Sequence, residues 1–398
     1  MSVRSYLVNL KHKIDSRALK VPYTIVTGNQ SADMDSIISA ISFAYFNNLK
    51  SQEFIIPLIN VPRADFKLRK DVVLLLGNHE VSEDLLYFVE DFEKWLSSSD
   101  VINVNLVDHN GLQGTEINNA FDEKKIKVVG IIDHHADENQ FLSSHPRIIR
   151  SCGSNSSLVF NYFYNEIFNK DDKLFVENKD VIELLLGPLL IDTSNMTQKV
   201  EEPDIEALNI YKKILSTQEL STVTIDNYTP FYSSLKFAKK DLSGFSLNDI
   251  LRKDYKQFKF STGENVGFSS IGKSIKWIMT NYENEDIANT LSNALKINNI
   301  EMLIITSSYT QKENGVYTRE FCYYYENKDN VKFNNLDKLS KAPLELNDDI
   351  YGSKKIEPTI EYLQSESKGI FKLYNQANIK ASRKQVVPII KDILENYN

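Results

Sequence analysis

The chain has 398 residues, of which 42% are hydrophobic and 25% charged, and its formal net charge is −8. This composition is ordinary for a globular protein, and the length is sufficient for two domains that each have a core. No apolar run reaches the roughly 20 residues that a membrane-spanning helix needs, and an acidic chain is unlike a nucleic-acid-binding protein, which is usually basic. We therefore expect no membrane and no nucleic-acid partner.

The two cysteines, Cys152 and Cys322, are too few for a disulfide framework and lack the spacing of a metal site. A reducing compartment is therefore expected, and the predicted location is the cytoplasm. The first 15 residues lack the apolar core of a secretory signal. Because these residues include a few basic side chains, an additional pool of the protein in the mitochondrial matrix remains an alternative prediction.

The charge is unevenly distributed along the chain. Residues 230–398 contain 24 Lys/Arg and 21 Asp/Glu, whereas residues 1–229 contain 22 and 33. An acidic half that holds metal ions and a basic half that holds anions would explain this difference. Scatter in surface composition would explain much of it as well.

The first half of the chain alternates short apolar runs with amphipathic stretches. This alternation is typical of a parallel sheet that is covered by helices on both faces. Strands are predicted at 23–28, 53–60, 101–107 and 127–133, and helices at 36–49, 71–96, 155–169, 180–192 and 199–215.

The pattern weakens near residue 221, and the second half mixes strands with helices. We predict a first domain at 1–217, a linker at 218–230 and a smaller α+β domain at 231–398. Within the second domain, the polar segment 346–367 is predicted to be a loop.

Polar residues follow the apolar runs in a recurrent way, as Asp33 and Asp35, Asp108, Asp133-His134-His135 and Asp192. The carboxyl ends of parallel strands share one edge of a sheet, where ligands bind. Each residue also has a simpler interpretation, because aspartates often cap helices and two histidines can form a satisfied buried pair. Crowded carboxylates repel one another, however, and a pair of divalent cations is the simplest compensation.

The ordered set of these residues resembles the DHH phosphoesterases. The motifs DYKQF at 254–258 and SRKQVVP at 382–388 resemble the second domain shared by family II inorganic pyrophosphatases and fungal cytosolic exopolyphosphatases. Together with GNQSADMDSI at 28–37 they are most similar to the fungal exopolyphosphatases. The resemblance covers about residues 20–390.

The resemblance implies a metal-binding catalytic first domain, a DHHA2-type substrate-binding second domain and an active site in the cleft between them. Asp33 would bind one metal ion, Asp35 and His134 the other, and Asp108 and Asp192 both. The implied catalytic residues are His135, Asp108 and Asp133. The implied substrate-binding residues are His135, Ser154, Lys256, Ser382, Arg383 and Lys384.

Asn29 departs from the pattern of the pyrophosphatases, which carry a metal-binding histidine at this position and a proline at the position of Ala32. An amide oxygen is a poorer ligand for Mn²⁺ than an imidazole and favours harder cations. Asn29 is therefore the weakest of the predicted metal ligands. The expected cofactor is a pair of divalent cations, with Mg²⁺ as the working ion and Mn²⁺ or Co²⁺ as alternatives.

The activity that the resemblance implies is hydrolysis of the terminal phosphate of inorganic polyphosphate by a monomeric enzyme. The length of residues 230–398 exceeds what a minimal pyrophosphatase domain needs, which favours a long anionic substrate. The alternatives are an inorganic pyrophosphatase, a phosphodiesterase acting on short nucleotides, and a non-catalytic scaffold that binds polyanions.

Overall fold

The computed structural model describes residues 1–19, 21–97, 101–216, 225–348, 357–365 and 369–396. The chain divides into two compact units, Met1–Asp241 and Leu242–Asn398. Among the described residues, every helix is too short or too polar to cross a bilayer.

The first unit is built from strands and helices that alternate along the chain. Its strands are β1 (Thr24–Thr27), β2 (Ile56–Ile59), β3 (Tyr87–Phe88), β4 (Ile102–Val107), β5 (Ile126–Asp133) and β6 (Arg147–Ile149). Its helices are α1 (Val3–Asp15), α2 (Met34–Ser51), α3 (Lys70–Asn78), α4 (Val89–Leu96), α5 (Thr115–Asp122), α6 (Asn155–Tyr162), α7 (Asp172–Glu177), α8 (Lys179–Asp192), α9 (Glu202–Leu215) and α10 (Thr229–Lys240). Two 3₁₀ helices (Arg63–Leu68 and Glu83–Leu85) and a π-helical turn (Phe163–Ile167) complete the unit.

The six strands form one parallel sheet in the order β3-β2-β1-β4-β5-β6. All four residues of β2 are buried, as expected of a strand that helices cover on both faces. Helix α8 is buried along the whole of Val181–Leu190, so it is an internal helix of this unit. The predicted parallel α/β architecture of the first half is confirmed.

The order of the strands creates a switch point beside β1. The chain passes from β1 to β2 on one side and later returns to β4 on the other side. In open α/β sheets, the carboxyl ends of two such strands flank the crevice where ligands bind. The residues that follow β1 and β4 are therefore the first place to search for a functional site.

The second unit contains a mixed sheet and a smaller set of helices. Its strands are β7 (Tyr255–Lys259), β8 (Asn265–Ile271), β9 (Met302–Thr310), β10 (Tyr317–Tyr325), β11 (Leu346–Asn347) and β12 (Ile370–Gln376). Its helices are α11 (Leu247–Lys253), α12 (Ile275–Asn281), α13 (Asn284–Ile297), α14 (Val331–Asn334), α15 (Leu336–Leu344), α16 (Glu357–Gln364) and α17 (Arg383–Glu395). The sheet order is β11-β12-β10-β9-β8-β7, in which only the β8–β9 pair is parallel. The predicted α+β class of the second half is confirmed.

The division between the units lies after Asp241 rather than at the predicted residue 230. Helix α10 belongs to the first unit, because its fully buried residue Leu235 packs beside α8. A Cβ atom added to Gly187 of α8 would lie 3.5 Å from Leu235 Cδ1. Lys70 Nζ, at the start of α3, bonds the Asp241 carboxylate at 2.7 Å. Of the predicted linker at 218–230, residues 218–224 lie outside the described part of the chain.

Two local predictions differ from the structure. The segment 71–96 is not helical throughout, since the two residues of β3 interrupt it and add an edge strand to the sheet. The segment 346–367 is not all loop, because β11 and α16 lie within it. Tertiary pairing with β12 explains β11, which has little strand signal of its own.

We expect Leu235→Ala to destabilise the first unit by about 2–5 kcal/mol, because it removes a fully buried side chain from the packing of α10. Phe237→Ala is the matched control, since Phe237 lies on the same helix with 77% of its surface exposed. Hydrogen exchange followed by mass spectrometry separates the two units. Faster exchange confined to residues 242–396 in the Leu235 variant would show that α10 belongs to the second unit instead.

Candidate metal centre

Four aspartates of the first unit, Asp33, Asp35, Asp108 and Asp192, lie close enough for their charges to act on one another, although they arise from different elements. A fifth, Asp133, shares the contact with His135 that Asp108 makes. Asp108 follows β4, Asp133 is the last residue of β5, and Asp192 is the last residue of helix α8. Asp33 caps the N-terminus of α2, and Asp35 lies in its first turn. Asp35, which precedes the helix predicted at 36–49, thus belongs to that helix, and Asp192 ends the helix predicted at 180–192.

Gly28 allows this convergence by bringing the start of α2 against the end of β1. A Cβ atom on Gly28 would lie 2.5 Å from the Cβ atom of Ser36 and 2.9 Å from its Cα atom. A larger residue would therefore push α2 away from the sheet. The close approach lets Ser36 Oγ donate to Asp108 Oδ2 at 2.5 Å.

Asp108 is the residue to which most of the other groups bond. Its backbone has a left-handed φ of 61°, a conformation that Asp tolerates better than most residues but that still costs energy. Its Oδ2 accepts from Ser36 and from Asn29 Nδ2 at 2.6 Å, and its Oδ1 lies 3.1 Å from His134 Nε2. Burial alone would raise the pKa of Asp108, but the hydrogen bond and charge of His134, the charge of His135 and the hydrogen bond of Ser36 lower this pKa overall.

His134 has the orientation of a metal-ligating imidazole. Its Nδ1 lies 3.0 Å from the carbonyl oxygen of Cys152, which can accept the Nδ1 proton and leave the lone pair on Nε2. Nε2 points to Asp108. Burial would lower the pKa of His134, but the bonds to Asp108 and Cys152 and the charge of Asp35 raise it to about 12. This position therefore attracts positive charge.

Asp133 orients the neighbouring His135 rather than pointing to a ligand itself. Its Oδ1 accepts from the main-chain N–H of His134 and from His135 Nδ1, both at 2.8 Å, and its Oδ2 accepts from Asn110 Nδ2 at 2.5 Å. Burial would raise the pKa of Asp133, whereas the bond and charge of His135 and the Asn110 bond lower it to about 2. With Nδ1 held in this way, Nε2 is the nitrogen that His135 can present to another group.

Asp35 is buried and bonds the start of helix α6. Its Oδ1 accepts from the Ser156 N–H at 2.8 Å and from Ser154 Oγ at 2.9 Å, and its Oδ2 accepts from the Asn155 N–H at 2.6 Å. Burial and the charges of Asp108 and Asp192 raise its pKa. The helical N–H donors act in the opposite direction, as a bound cation would.

Asp192 carries a carboxylate oxygen that lacks a partner. Oδ2 is buried, and within the described residues it has no hydrogen bond. Burial raises the pKa of Asp192 to about 7, Lys239 and His134 oppose the rise, and Asp33 and Asp108 add to it. A buried acceptor of this kind costs free energy unless a proton or a cation satisfies it.

The donor set fits a divalent cation. One ligand atom from each of Asp108, His134 and His135 lies within 4.8 Å of the others, and this is the only such group of His, Cys, Asp or Glu in the described ranges. Asp35 and Asp192 are close enough for their charges to act on Asp108. Carboxylate oxygens with one or two imidazoles suit Mg²⁺, Mn²⁺, Co²⁺ or Zn²⁺.

Two of the predicted ligand-binding residues are engaged by the protein itself. Asn29 presents its amide nitrogen to Asp108, while its Oδ1 accepts from the Ser31 N–H at 2.8 Å. Ser154 has 0% exposed surface and donates to Asp35. This arrangement lends no support to a metal bond from Asn29 or a substrate contact from Ser154, and both roles stay predictions.

Four of the predicted phosphate-binding residues lie in the second unit. Arg383 donates to the Asp254 carbonyl oxygen at 2.7 Å and to its carboxylate at 2.6 Å. Ser382 caps helix α17 by bonding Gln385 Oε1 at 2.7 Å. Lys384 is exposed in the first turn of that helix, and Lys256 lies half-buried on β7. Their roles toward a substrate stay predictions.

Sequence reasoning missed three supporting residues of the first unit. Asn110 holds Asp133, Ser36 holds Asp108, and Arg69 donates to the carbonyl oxygens of Ser31 and Ala32 in the turn before Asp33. The signal for Asn110 was its place two residues after Asp108. Ser36 lies within GNQSADMDSI, but that motif does not reveal the partner of its hydroxyl, and only folding brings Arg69 to the turn before Asp33.

Sequence reasoning also overlooked a P-loop-like spacing, G-x-x-x-x-G-K-S, at residues 267–274. A P-loop needs these residues in a loop whose N–H groups surround phosphates. Here Gly267–Ile271 belong to β8, which pairs with β7 and β9 on its two sides. The spacing therefore does not form a phosphate cradle in this fold.

Comparison with known proteins identifies the family. Residues 23–187 match the N-terminal domain of the DHH family, and residues 233–393 match the DHHA2 domain. A Schizosaccharomyces pombe protein, provisionally named as an exopolyphosphatase, is 31% identical over 381 residues, which cover 93% of this chain and 90% of that protein. The chain belongs to the DHH family. The predicted resemblance to DHH phosphoesterases with a DHHA2 domain is confirmed.

Two further proteins are similar to this DHH-family protein over most of its length. The exopolyphosphatase PRUNE1 of Mus musculus is 24% identical over 381 residues, which cover 94% of this chain and 76% of that protein. The crystal structure of a Methanococcus jannaschii protein, provisionally described as a family II inorganic pyrophosphatase, has a TM-score of 0.56 at 20% identity and covers 94% of this chain and 100% of its own. At that identity the likeness shows a shared fold.

We expect Asn110→Ala to reduce the free energy of unfolding of the first unit by about 1–3 kcal/mol, because Asp133 Oδ2 would lose its donor inside the protein. Asn119→Ala, at an exposed position of α5, is the control and should change stability by less than about 0.5 kcal/mol. Urea unfolding in the absence of metal measures both. Equal stability of the two variants would mean that the Asn110 bond contributes nothing.

Proposed function

We propose that this DHH-family protein is an exopolyphosphatase, a hydrolase that releases the terminal phosphate of inorganic polyphosphate. The observation that carries the proposal is the cluster of Asp108, His134 and His135, whose ligand atoms lie within 4.8 Å of one another beside buried carboxylates. The names of the S. pombe and mouse relatives support polyphosphate as the substrate.

We infer that two divalent cations occupy this cluster, with Mg²⁺ as the working ion and Mn²⁺ or Co²⁺ as alternatives. The residues that would hold them are Asp33, Asp35, Asp108, His134 and Asp192. When bound, such cations supply neutralisation of phosphoryl charge and activation of a water molecule. The buried Oδ2 of Asp192, which has no hydrogen-bond partner among the described residues, and the oxygen-rich surroundings support this assignment.

His135 is the group that can carry a proton at the reacting phosphate. Asp133 holds its Nδ1 at 2.8 Å, so its Nε2 is fixed in direction. Protonated Nε2 can donate to a phosphoryl or leaving-group oxygen, where negative charge develops during hydrolysis. Asp108 Oδ1 lies 3.8 Å from Nδ1 of the same ring.

The second unit would supply contacts to the rest of the chain-like substrate. Lys256, Ser382, Arg383 and Lys384 are the proposed contacts, since positive charge and hydroxyl groups bind phosphate oxygens. The hydrogen bond that Arg383 donates to the Asp254 carboxylate holds the guanidinium in one place, which is an advantage for a group that binds an anion. We further infer that the enzyme works as a monomer in the cytoplasm, where the free thiols of Cys152 and Cys322 stay reduced.

A substrate panel tests the activity directly. We expect the purified protein with Mg²⁺ to release phosphate from long polyphosphate and tripolyphosphate faster than from pyrophosphate, and to leave a cyclic nucleotide intact. Phosphate release and nucleotide products are measured side by side. Preference for pyrophosphate or for the nucleotide would replace the proposed activity with another hydrolase of the family, and the absence of any turnover would favour a scaffold.

We expect Asp192→Asn and His134→Ala each to lower phosphate release by more than about 100-fold, since loss of a metal ligand should exceed the 10–100-fold cost of losing an outer partner. Asp122→Asn and His12→Ala, both at exposed positions of the first unit, are matched controls that should leave the rate unchanged. Circular dichroism verifies that the variants fold. A ligand variant that keeps a tenth of normal turnover would contradict the two-ion scheme.

We expect Arg383→Ala to lower kcat/KM on the order of tenfold for tripolyphosphate, because the substrate loses one charge-assisted hydrogen bond. For long polyphosphate we expect a smaller loss. A long chain keeps more contacts elsewhere, which compensate for the one that is lost. Asp254→Asn, which removes the partner but not the guanidinium, is the matched variant and should have a smaller effect. Equal losses for both chain lengths would show that Arg383 does not bind near the reacting end.

A further inference from the structure

The segment that opens helix α6 is held by two buried carboxylates, those of Asp204 and Asp35. Four consecutive main-chain N–H groups, those of residues 153–156, each donate to a carboxylate oxygen. The first two bond Asp204, and the last two bond Asp35. Asp204 also accepts the hydroxyl of Ser157, and Asp35 accepts the hydroxyls of Ser154 and Ser39.

Asp204 lies in the first turn of helix α9 and has 0% exposed surface. Its Oδ2 accepts from the Gly153 N–H at 2.7 Å and its Oδ1 from the Ser154 N–H at 3.2 Å. Within its own helix it also accepts the Glu201 N–H at 2.9 Å. A residue needed only to cap α9 would not have to bond a segment about 50 residues away in the sequence.

Gly153 brings the same segment against the turn that follows Asp192. A Cβ atom on Gly153 would lie 2.6 Å from the Lys199 carbonyl oxygen, 2.7 Å from Thr193 Cγ2 and 3.0 Å from Asp204 Oδ2. Only glycine therefore fits between Asp204 and this turn. The position of residues 153–156 thus affects both Asp35, through hydrogen bonds, and the backbone next to Asp192, through packing.

We propose that Asp204 is a positioning residue of the metal centre, which fixes residues 153–156 and through them the carboxylate of Asp35. This inference rests on the proposed function only in taking Asp35 as a metal ligand. Because all four N–H groups are bonded to protein carboxylates, the segment acts as a support for the metal ligand rather than as a phosphate site. Loss of the Asp204 carboxylate would release two N–H groups and loosen the donors that orient Asp35.

Direct measurement of Mn²⁺ binding to the full chain, by electron paramagnetic resonance without substrate, tests the proposal. We expect Asp204→Asn to weaken Mn²⁺ binding by about 10–100-fold, the usual cost of losing an outer partner. Ser157→Ala, a milder change that removes one donor to Asp204, should weaken it by several-fold. The matched control is Asn178→Ala, a buried residue of the same unit that bonds the N-terminal ammonium and the Tyr45 hydroxyl.

The comparison with the control separates positioning from a general loss of stability. We expect Asn178→Ala to lower the unfolding temperature while Mn²⁺ affinity stays at the normal value. Unchanged Mn²⁺ affinity in folded Asp204→Asn or Ser157→Ala protein would overturn the proposal. An equal loss of affinity in Asn178→Ala would do so as well.

Failure of the proposed function is distinguishable from failure of this inference. If the protein binds Mn²⁺ in a manner that depends on Asp204 but releases no phosphate from polyphosphate, the positioning role holds and the assigned substrate is wrong. If Asp204→Asn protein hydrolyses polyphosphate normally and has normal Mn²⁺ affinity, the assigned substrate is right and the positioning role is wrong.

Discussion

Mutual repulsion among buried carboxylates is the constraint on which the first unit depends. Asp35, Asp108 and Asp192 lie close together. Burial and like charge raise the pKa of Asp35 and of Asp192, whereas the contact with His134 lowers the pKa of Asp108. Such an arrangement is costly in a protein interior without a compensating positive charge. Its presence is therefore explained by a ligand that supplies this charge, and a divalent cation does so with the fewest additional groups.

Several features of the local structure orient these carboxylates. Asp108 adopts a left-handed backbone conformation, Gly28 brings α2 against β1, and Asp133 is bonded on both of its oxygens. Strained or tightly packed positions of this kind persist where the surrounding fold determines them. The same logic extends outward to Asp204, which holds the segment that holds Asp35.

Two segments with small residues illustrate how the same N–H groups can serve different partners. The small residues 153–156 are suited to meeting an anion, and they do meet anions, but these are the carboxylates of Asp35 and Asp204. The first five residues of the P-loop-like spacing at 267–274 lie in strand β8, where the N–H groups serve the sheet. In both cases the chemistry of N–H groups is the same, and the neighbours decide what they bind.

The sequence by itself determined the parallel α/β class of the first unit and the identity of its polar clusters, because hydrophobic period and residue type are local properties. It also carried the DHH-family motifs. Only the tertiary structure decided that Asp133 orients His135, that Asn29 faces Asp108 with its nitrogen, and that α10 packs on the first unit. These features depend on contacts between residues far apart in the chain, and no local pattern encodes which partner a buried polar group will find.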